Sequence, residues 1–375
     1  MSKEEFVLID GSCIITESFV QSGAEAFIGY PITPANLLYS YAKQRYQMFF
    51  PAPDEITALQ WTAGLSAAGK LAVTATSFPG LALMTETINM AYMMELPLVI
   101  VLVQRMGPST GSATAGAQGD ILFLRSCISG GYPLPVFCPS NLQDCWDLSN
   151  KSLETAVNLR TPVVLLTSKE MIMTNCSYDL SQLKPISPIK KIYYKDSKSY
   201  KSYLPDKNLV PPFLPLGNDK HQVRINASTH NAEGFIKKGI PEALENTARL
   251  KLKIENYFNE MTDNYELDDE KDSDILIVTY GISTEAARDA LRNLRATKTK
   301  LSLLVIKDLL PVSQNILDIL KRYTHIIIVE ENISGLLKEI LYGQEKYDNI
   351  RSVNKIGNLI NPSEIIKEVN VCQQA

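Results

Sequence analysis

The chain has 375 residues, of which 45% are hydrophobic and 21% are charged, and its formal net charge is −4. Its length exceeds that of one ordinary domain, and its composition is that of a globular protein. The small negative charge argues against nucleic acid as a partner. The first ten residues are too polar for a signal peptide, and the most apolar run, residues 96–103, is too short to cross a bilayer. We therefore expect a cytoplasmic protein without nucleic-acid or membrane partners.

Six cysteines are spread along the chain, and none stands at the C-x2-C spacing of a zinc ribbon or an iron–sulfur motif. We expect them to be reduced, mostly buried thiols that act as small hydrophobic residues. No metal site is predicted on this chain. If the protein handles electrons, the metal must lie on another chain.

The first half of the chain, up to about residue 187, alternates apolar runs with helical patterns. The runs rich in Val, Leu and Thr predict buried parallel strands, and the segments between them have apolar residues at helical spacing. The strands are predicted at residues 71–76, 98–103 and 161–167, and the helices at residues 55–69 and 85–94. This alternation predicts an α/β domain with a parallel sheet at residues 1–187.

The pattern changes in the middle of the chain, at residues 188–270. Tyr, Lys, Ser and Pro dominate as far as residue 217, which predicts an extended linker arm; alternatively, its tyrosines mark a subunit contact. Residues 239–261 predict one long amphipathic helix, and the acidic residues 263–274 indicate a second boundary.

The last part of the chain, residues 271–375, alternates strand and helix patterns again and predicts a second α/β domain. Strands are predicted at residues 275–280, 301–306 and 325–330, and a helix between the last two at residues 313–323. Ser283 is expected to cap a further helix after the first of these strands.

Several common α/β enzyme classes are excluded by missing motifs. All three histidines lie outside the first domain, so a hydrolase built there would have no histidine base. No Gly-Lys-Ser/Thr follows a glycine loop, and no Gly-x-Gly-x-x-Gly follows the first strand. Nucleotide binding by either of these loops is therefore not expected.

Two loops that follow predicted strands are plausible walls of a site, because ligands of open α/β sheets gather at the carboxyl ends of strands. Residues 29–34 (Gly-Tyr-Pro-Ile-Thr-Pro) hold Thr33 between two prolines, each of which fixes φ near −65°. The alternative is a plain strand-to-helix turn. Residues 74–80 are expected to end a strand at a Pro-Gly turn.

Two charged residues extend this prediction. Arg105 ends the strand before a Gly-Pro-Ser-Thr-Gly loop and offers a bidentate donor for a carboxylate; the alternative is a surface arginine in a flexible loop. Glu55 opens a helix of apolar and small residues; the alternative is an exposed glutamate that complements the helix dipole. Together, these residues predict an anion-binding α/β site.

The order of these motifs resembles the α subunit of 2-oxoacid:ferredoxin oxidoreductases. The motifs are Gly-Tyr-Pro-Ile-Thr-Pro at 29–34, Asp-Glu-Ile at 54–56, Thr-Ser-x-Pro-Gly at 76–80, Gln-Arg-x-Gly-Pro-Ser-Thr-Gly at 104–111 and Gln-Gly-Asp at 118–120. The 104–111 loop is most similar to the 2-oxoglutarate branch. Weaker similarity reaches Val329-Glu330-Glu331-Asn332, so the resemblance covers nearly the whole chain.

The resemblance implies a fold and roles for residues. It implies a pyrimidine-type thiamine-diphosphate domain followed by an α/β domain like the C-terminal domain of transketolase. Glu55 would be catalytic, through a hydrogen bond to N1′ of the aminopyrimidine. The implied substrate-binding residues are Thr33, Arg105, Ser109 and Thr110. The implied cofactor-binding residues are Pro31, Ile32, Glu55, Ser77 and Phe78.

The resemblance also implies partners. Thiamine diphosphate would be shared with a β subunit, and this chain has no Gly-Asp-Gly motif for Mg²⁺ and the diphosphate. The Mg²⁺ and the iron–sulfur clusters would lie on partner subunits, which could include γ and δ subunits. Ferredoxin would accept the electrons, and coenzyme A would be the co-substrate that captures the acyl group.

The expected reaction is the CoA-dependent oxidative decarboxylation of a 2-oxoacid, with 2-oxoglutarate as the best candidate. The alternatives are a member specific for pyruvate or a branched-chain 2-oxoacid, a non-oxidative thiamine-dependent decarboxylase and a non-catalytic paralogue. Phe78 supports the last of these, because family members usually have Gly at this position. Retention of Glu55, Thr33 and Arg105 argues against it.

Overall fold

A computed structural model describes residues 5–261 and 265–374. Residues 263 and 264, at the start of the predicted acidic boundary, lie outside the described residues. All six cysteines are free thiols and four of them are buried, which confirms the expectation of mostly buried, reduced cysteines. Among the described helices, none combines the length and the apolar character needed to cross a membrane.

The strands of the described residues form two large sheets and one small one. They are β1 (Phe6–Ile9), β2 (Ala26–Gly29), β3 (Met48–Pro51), β4 (Ala72–Thr76), β5 (Leu98–Gln104), β6 (Val136–Phe137), β7 (Pro162–Ser168), β8 (Cys176–Asp179), β9 (Tyr265–Asp268), β10 (Ile275–Thr279), β11 (Ser302–Ile306), β12 (Asp308–Leu310), β13 (His325–Glu330) and β14 (Ile350–Asn354).

Helices cover the sheets and connect the strands. They are α1 (Gly11–Gln21), α2 (Asn36–Arg45), α3 (Glu55–Ala67), α4 (Phe78–Met93), α5 (Ile121–Arg125), α6 (Leu142–Leu159), α7 (Lys169–Met173), α8 (Pro241–Glu260), α9 (Thr284–Ala296), α10 (Gln314–Leu320), α11 (Leu336–Tyr342) and α12 (Pro362–Gln374).

The first sheet has the order β12-β6-β7-β5-β4-β2-β3 and is parallel except for β12. Its central strands β4, β5 and β7 are buried along their whole length, as the continuous apolar runs predicted. The chain runs from β2 to β3 on one side and then to β4 on the other. This reversal opens a crevice at the carboxyl ends of β2 and β4, where α/β proteins bind ligands.

The second sheet has the order β14-β13-β10-β11-β9, with β9 antiparallel to the rest. Strands β1 and β8 pair separately as an antiparallel ribbon. The α/β class is confirmed for both sheets. The domain limits 1–187, 188–270 and 271–375 stay a prediction, and strand pairing crosses them, because β12 joins the first sheet and β9 joins the second.

Two local predictions are wrong. Helix α4 begins at Phe78, not at residue 85, so the predicted Pro-Gly turn at residues 74–80 is in fact the end of β4 and the first turn of α4. Pro79 is tolerated there because the first N–H groups of a helix have no partner within the helix. Ser283 precedes α9 but does not cap it, since its hydroxyl donates to Gln118 Oε1 at 2.6 Å.

The arm between α7 and α8 wraps around the first sheet and is fixed by buried polar contacts. The Arg160 guanidinium donates to the carbonyls of Ser202, Pro211 and Pro212, at 3.1 to 3.3 Å. Tyr200 and Tyr203 are buried inside the chain. The alternative of a subunit contact is therefore wrong for these two tyrosines, and the role of the arm as a linker between domains stays a prediction.

Helix α8 is anchored by a carboxylate that carries two cationic partners. Glu95 is fully buried, and it accepts hydrogen bonds from the Arg249 guanidinium and, at 2.7 Å, from Lys253 Nζ. Burial alone would raise the pKa of Glu95, but Lys253 and Arg249 overcome it and lower this pKa to about 2. The carboxylate is therefore charged at neutral pH and holds α8 against the first sheet.

A Glu95→Gln variant tests this anchor. It leaves the Arg249 and Lys253 charges buried without their counter-charge, so we expect the free energy of unfolding to fall by about 3–5 kcal/mol. Urea denaturation followed by circular dichroism measures the change. The matched control is Asp318→Asn, which breaks the exposed pair with Lys321 and should leave the free energy of unfolding nearly unchanged, because solvent screens this pair. Similar small losses in the two variants would contradict the anchoring role.

Candidate active site

The loops that follow β2, β3, β4 and β5 meet at one edge of the first sheet. They carry Thr33, Glu55, Ser77 and Arg105, respectively, each within four residues of the end of its strand. Because these four strands are parallel neighbours, their carboxyl ends lie at the same edge. The structure thus brings together residues that are up to 72 positions apart in the sequence.

Glu55 is the first residue of α3 and points inward. Asp54 caps the helix, since its side chain accepts a hydrogen bond from Thr57 N at 2.7 Å. The Glu55 side chain is only 7% exposed. Within residues 5–261 and 265–374, its carboxylate has no hydrogen-bonding or ionic partner. The alternative of an exposed glutamate is therefore wrong, and a buried acceptor is left facing the crevice.

Gly80 makes this position of Glu55 sterically possible. A Cβ atom at Gly80 would lie 2.6 Å from Glu55 Cγ and 2.1 Å from Thr76 Oγ1, both far inside van der Waals contact. The glycine lies in the first turn of α4, so the N-terminal turns of α3 and α4 meet at this point. No role for Gly80 was predicted from the sequence, because only the tertiary structure brings it against Glu55.

Arg105 connects the loop after β5 with the loop after β2. Its side chain is buried, and its Nη1 donates to the carbonyl oxygen of Thr33. In the described chain its Nε has no hydrogen-bond partner. Burial lowers the pKa of Arg105, and the charge of Asp120 opposes this shift. The alternative of a surface arginine is therefore wrong, and part of the guanidinium is free to bind an anion.

Ser109 and Thr110 occupy the exposed tip of a tight loop. Met106 N donates to Ala115 O at 2.7 Å, and Ser112 N donates to Met106 O at 3.0 Å. The loop is closed so tightly that a Cβ atom at Gly111, where φ is +47°, would overlap the Met106 carbonyl. Both hydroxyls are exposed. Their contact with a substrate stays a prediction.

The remaining residues predicted to contact the cofactor differ in how deeply they are buried. Ser77 is buried, and its Oγ has no partner among the described residues. Phe78 is partly buried, and its ring packs edge-on against Phe123 with centroids 5.3 Å apart. Pro31 is exposed and Ile32 is partly buried. The Ser77 hydroxyl is therefore buried, and the Phe78 ring is held in place by its contact with Phe123.

Gln118 is a functional candidate that was not singled out from the sequence. Its side chain donates to Tyr280 O at 2.8 Å and accepts from Ser283 Oγ at 2.6 Å and from Glu331 N at 2.8 Å. Its backbone carbonyl accepts from Asn332 Nδ2 at 3.1 Å. These bonds join the segment after the Arg105 loop to the carboxyl ends of β10 and β13. The motifs at 118–120 and 329–332 were the only sequence signal.

Asp120 lies two residues beyond Gln118 and is also buried. Its Oδ2 has no partner in the part of the chain that the structure describes. Burial raises the pKa of Asp120 to about 7, although Arg105 opposes the shift. This carboxyl group can therefore exchange a proton near neutral pH.

Comparison with known proteins places this chain in a family. The family model for pyruvate flavodoxin/ferredoxin oxidoreductase, thiamine diphosphate-binding, matches residues 17–248, more than half of the chain. The chain belongs to this family. The match includes the four strands whose loops carry Thr33, Glu55, Ser77 and Arg105. It also includes the arm and the first turns of α8.

Individual relatives agree with the family. The chain is 28% identical to the 2-oxoglutarate synthase subunit KorA of Methanocaldococcus jannaschii, over 98% of this chain and 99% of that one. It is 29% identical to the 2-oxoglutarate oxidoreductase subunit KorA of Mycobacterium tuberculosis, over 94% of this chain but only 55% of that one. The chain thus spans about half the length of the second protein.

A solved structure supports the fold over the whole chain. The 2-oxoglutarate:ferredoxin oxidoreductase from Magnetococcus marinus, with 2-oxoglutarate, coenzyme A and succinyl-CoA bound, superposes with a TM-score of 0.91 at 26% identity. The match covers 99% of this chain and 66% of that one. The predicted fold class and the predicted family are confirmed.

The crevice fits one end of the cofactor that the family name implies. The Glu55 side chain is 7% exposed and no described residue bonds to its carboxylate, and the buried Ser77 hydroxyl also has no partner among the described residues. The space beside Gly80 is already filled by the Glu55 side chain, which fixes the direction of the carboxylate. These groups suit the polar edge of an aminopyrimidine ring. The sequence has no Gly-Asp-Gly motif for the diphosphate end.

A Gly80→Ala variant tests the close contact between the first turns of α3 and α4. We expect the added methyl group to displace Glu55 and to weaken thiamine-diphosphate binding at least about tenfold, the equivalent of about 1.4 kcal/mol. Binding is measured by tryptophan fluorescence of the complex of this chain with its partner subunits. Gly119→Ala is the matched control, because no atom lies within 4 Å of the position that its methyl group would occupy. Unchanged affinity in Gly80→Ala would show that Glu55 tolerates displacement.

Proposed function

We propose that this chain is the α subunit of a thiamine-diphosphate-dependent 2-oxoacid:ferredoxin oxidoreductase that acts on 2-oxoglutarate. The overall reaction converts a 2-oxoacid, coenzyme A and two oxidised ferredoxins to an acyl-CoA, CO₂, a proton and two reduced ferredoxins. The observation that carries the proposal is the Glu55 carboxylate, which is buried without a partner at the carboxyl edge of a parallel sheet. The relatives named for 2-oxoglutarate favour this substrate.

Glu55 is proposed as the residue that holds a proton at the pyrimidine end of the cofactor. Thiamine diphosphate, when bound, supplies a nucleophilic carbon and an electron sink for decarboxylation. A carboxylate in a site that excludes water interacts more strongly with a ring nitrogen than it would in solution. Glu55 meets this condition because its side chain is 7% exposed and is held by the first turns of α3 and α4.

Arg105 is proposed to bind the carboxylate of the 2-oxoacid, with Thr33 beside it. One end of its guanidinium is fixed by the Thr33 carbonyl, so the group is oriented before a substrate arrives. Its unpartnered Nε can then donate to a carboxylate oxygen. Ser109 and Thr110 stay proposed contacts at the mouth of the site. The group that binds the second carboxylate of 2-oxoglutarate is proposed to lie on a partner subunit.

The site is proposed to be completed by a β subunit that docks on the exposed face of α3 and α4. The two helices pack side by side and expose large apolar side chains, which are rarely grouped on the surface of a monomer. They are Ile56 and Trp61 on α3 and Leu83 and Met90 on α4, each between 37% and 50% exposed. The face is continuous with Glu55, which opens α3. A chain seated there reaches the cofactor directly.

The β subunit is proposed to hold Mg²⁺ and the diphosphate, and iron–sulfur clusters are proposed on the β subunit or on further γ and δ subunits. Coenzyme A is the proposed acyl acceptor and ferredoxin the proposed electron acceptor. The non-oxidative decarboxylase, the other substrate specificities and the non-catalytic paralogue are outcomes of the activity test below.

The activity test uses this chain purified anaerobically with its β subunit and any cluster-bearing subunit. We expect CoA- and thiamine-dependent viologen reduction with 2-oxoglutarate, and little with pyruvate or 2-oxoisovalerate. Glu55→Gln should lower kcat by about 10²–10⁴-fold, because the carboxylate is replaced by an amide that cannot take up a proton. Release of an aldehyde without viologen reduction would support the decarboxylase. No turnover with bound cofactor and intact clusters would overturn the proposal.

The docking face is tested separately, by co-purification. A Trp61→Glu/Leu83→Glu double variant places two charges in the centre of the proposed interface and should abolish recovery of the β subunit. Leu252→Glu is the matched control, since Leu252 is 48% exposed on α8 and lies outside the α3–α4 face. Circular dichroism of the isolated chains verifies that both variants fold. Recovery of the β subunit with the double variant at the wild-type yield would reject this face.

A further inference from the structure

Asp120 is a buried acid for which the proposed mechanism has no role. It precedes α5 at the position of a helix cap, but its side chain makes no capping hydrogen bond. Its Oδ2 is buried and has no partner among residues 5–261 and 265–374. An unsatisfied buried carboxyl group costs free energy, so its presence at this place calls for an explanation.

The position of Asp120 is fixed on both sides. Its backbone N–H approaches Gln104 Oε1 at 3.4 Å, just before Arg105 in the sequence. Two residues earlier, Gln118 is bound by Tyr280, Ser283, Glu331 and Asn332. The carboxyl group is therefore held by the backbone and not by a bond of its own. A change in its protonation state therefore breaks no side-chain hydrogen bond of its own.

Arg105 is the charged group that acts on Asp120. In the described chain the two side chains do not form an ion pair within 4 Å, yet each influences the other electrostatically. The guanidinium therefore remains free to bind a different anion while it still interacts with Asp120. The Tyr280 phenol, at the end of β10, is a second titratable group near Asp120, and burial raises its pKa far above neutrality, so it stays neutral.

We propose that Asp120 is a positioning residue that takes up a proton when an anionic carboxylate binds to Arg105. The inference rests on the proposed function, since it uses Arg105 as the substrate-binding group. The proton comes from solvent and is bound by the Asp120 carboxylate, so that no second negative charge remains beside the bound substrate.

The direction follows from electrostatics. Without substrate, burial raises the pKa of Asp120 to about 7, and the positive charge of Arg105 limits this rise. A bound carboxylate neutralises Arg105 and adds a negative charge, so the pKa of Asp120 rises further in the complex. The substrate is then bound most tightly below the pKa of the free protein. Its affinity falls as the pH rises from about 7 toward the pKa of the complex, by up to tenfold per pH unit.

The test measures proton uptake directly by calorimetry of the anaerobic holoenzyme complex. The probe is 2-hydroxyglutarate, which keeps both carboxylates of 2-oxoglutarate but has no keto carbon that can react. Titrations near pH 7.5 in two buffers with different ionisation enthalpies give the number of protons bound per ligand. Because a group with a pKa of about 7 is already about one-quarter protonated at pH 7.5, we expect uptake of between about 0.3 and 0.8 proton in the wild type and none in Asp120→Asn.

Glu331→Gln is the matched control for this experiment. Burial also raises the pKa of Glu331 to about 7, but its side chain accepts a hydrogen bond from Ile360 N and is not among the charges that act on Asp120. This variant should keep the wild-type proton uptake. If Glu331→Gln loses the uptake and Asp120→Asn keeps it, the assignment to Asp120 is wrong.

A second measurement decides the matter if Asp120→Asn does not fold. In the wild type, KM for the 2-oxoacid that is turned over should rise about tenfold between pH 7 and 8.5, while kcat for the same acid shows no matching change. An active complex with a KM independent of pH and no proton uptake would overturn only this inference. A complex that reduces no viologen and binds no 2-hydroxyglutarate would overturn the proposed function with it.

Discussion

The carboxylate of Glu55 lies buried against Gly80 without a partner on its own chain among the described residues, and the rest of the site is arranged around it. A buried polar group without a hydrogen-bond partner is unfavourable, so the surroundings must hold it in place. The Asp54 cap starts α3 at Glu55, and the missing Cβ at Gly80 lets α4 start beside it. The exposed apolar side chains of α3 and α4 belong to the same two helices, so the contact that orients the carboxylate also positions the proposed docking face.

The second sheet is connected to the site on the first sheet through the amide side chain of Gln118. Gln118 forms hydrogen bonds with residues at the carboxyl ends of β10 and β13. It lies between Arg105 and Asp120 in the sequence. β12 adds a further link, because it leaves the second half of the chain to pair with β6 in the first sheet. The second half of the chain therefore helps to position the loop that carries Arg105, although it supplies none of the predicted catalytic groups.

The sequence predicted those features that depend on local pattern. Strands β4, β5 and β7 are continuous apolar runs, and their limits were found to within one residue. The start of α4 was missed because Pro79 was interpreted as part of a turn, although proline is also favoured in the first turn of a helix. Gly80 and Gln118 were missed for a different reason. Their roles depend on contacts between segments that are far apart in the sequence, which no local pattern encodes.

The buried polar groups of this chain differ in whether another residue of the described chain compensates them. Glu95 is as deeply buried as any residue here, but Arg249 and Lys253 compensate it, and its effect is to hold α8. Glu55, Ser77, Asp120 and part of Arg105 are buried without such compensation from the described residues. They all lie at or beside the carboxyl edge of one sheet, where a cofactor and a substrate can supply the missing partners. Ligands that bind only the folded chain would then also stabilise it, which links completion of the site to the stability of the fold.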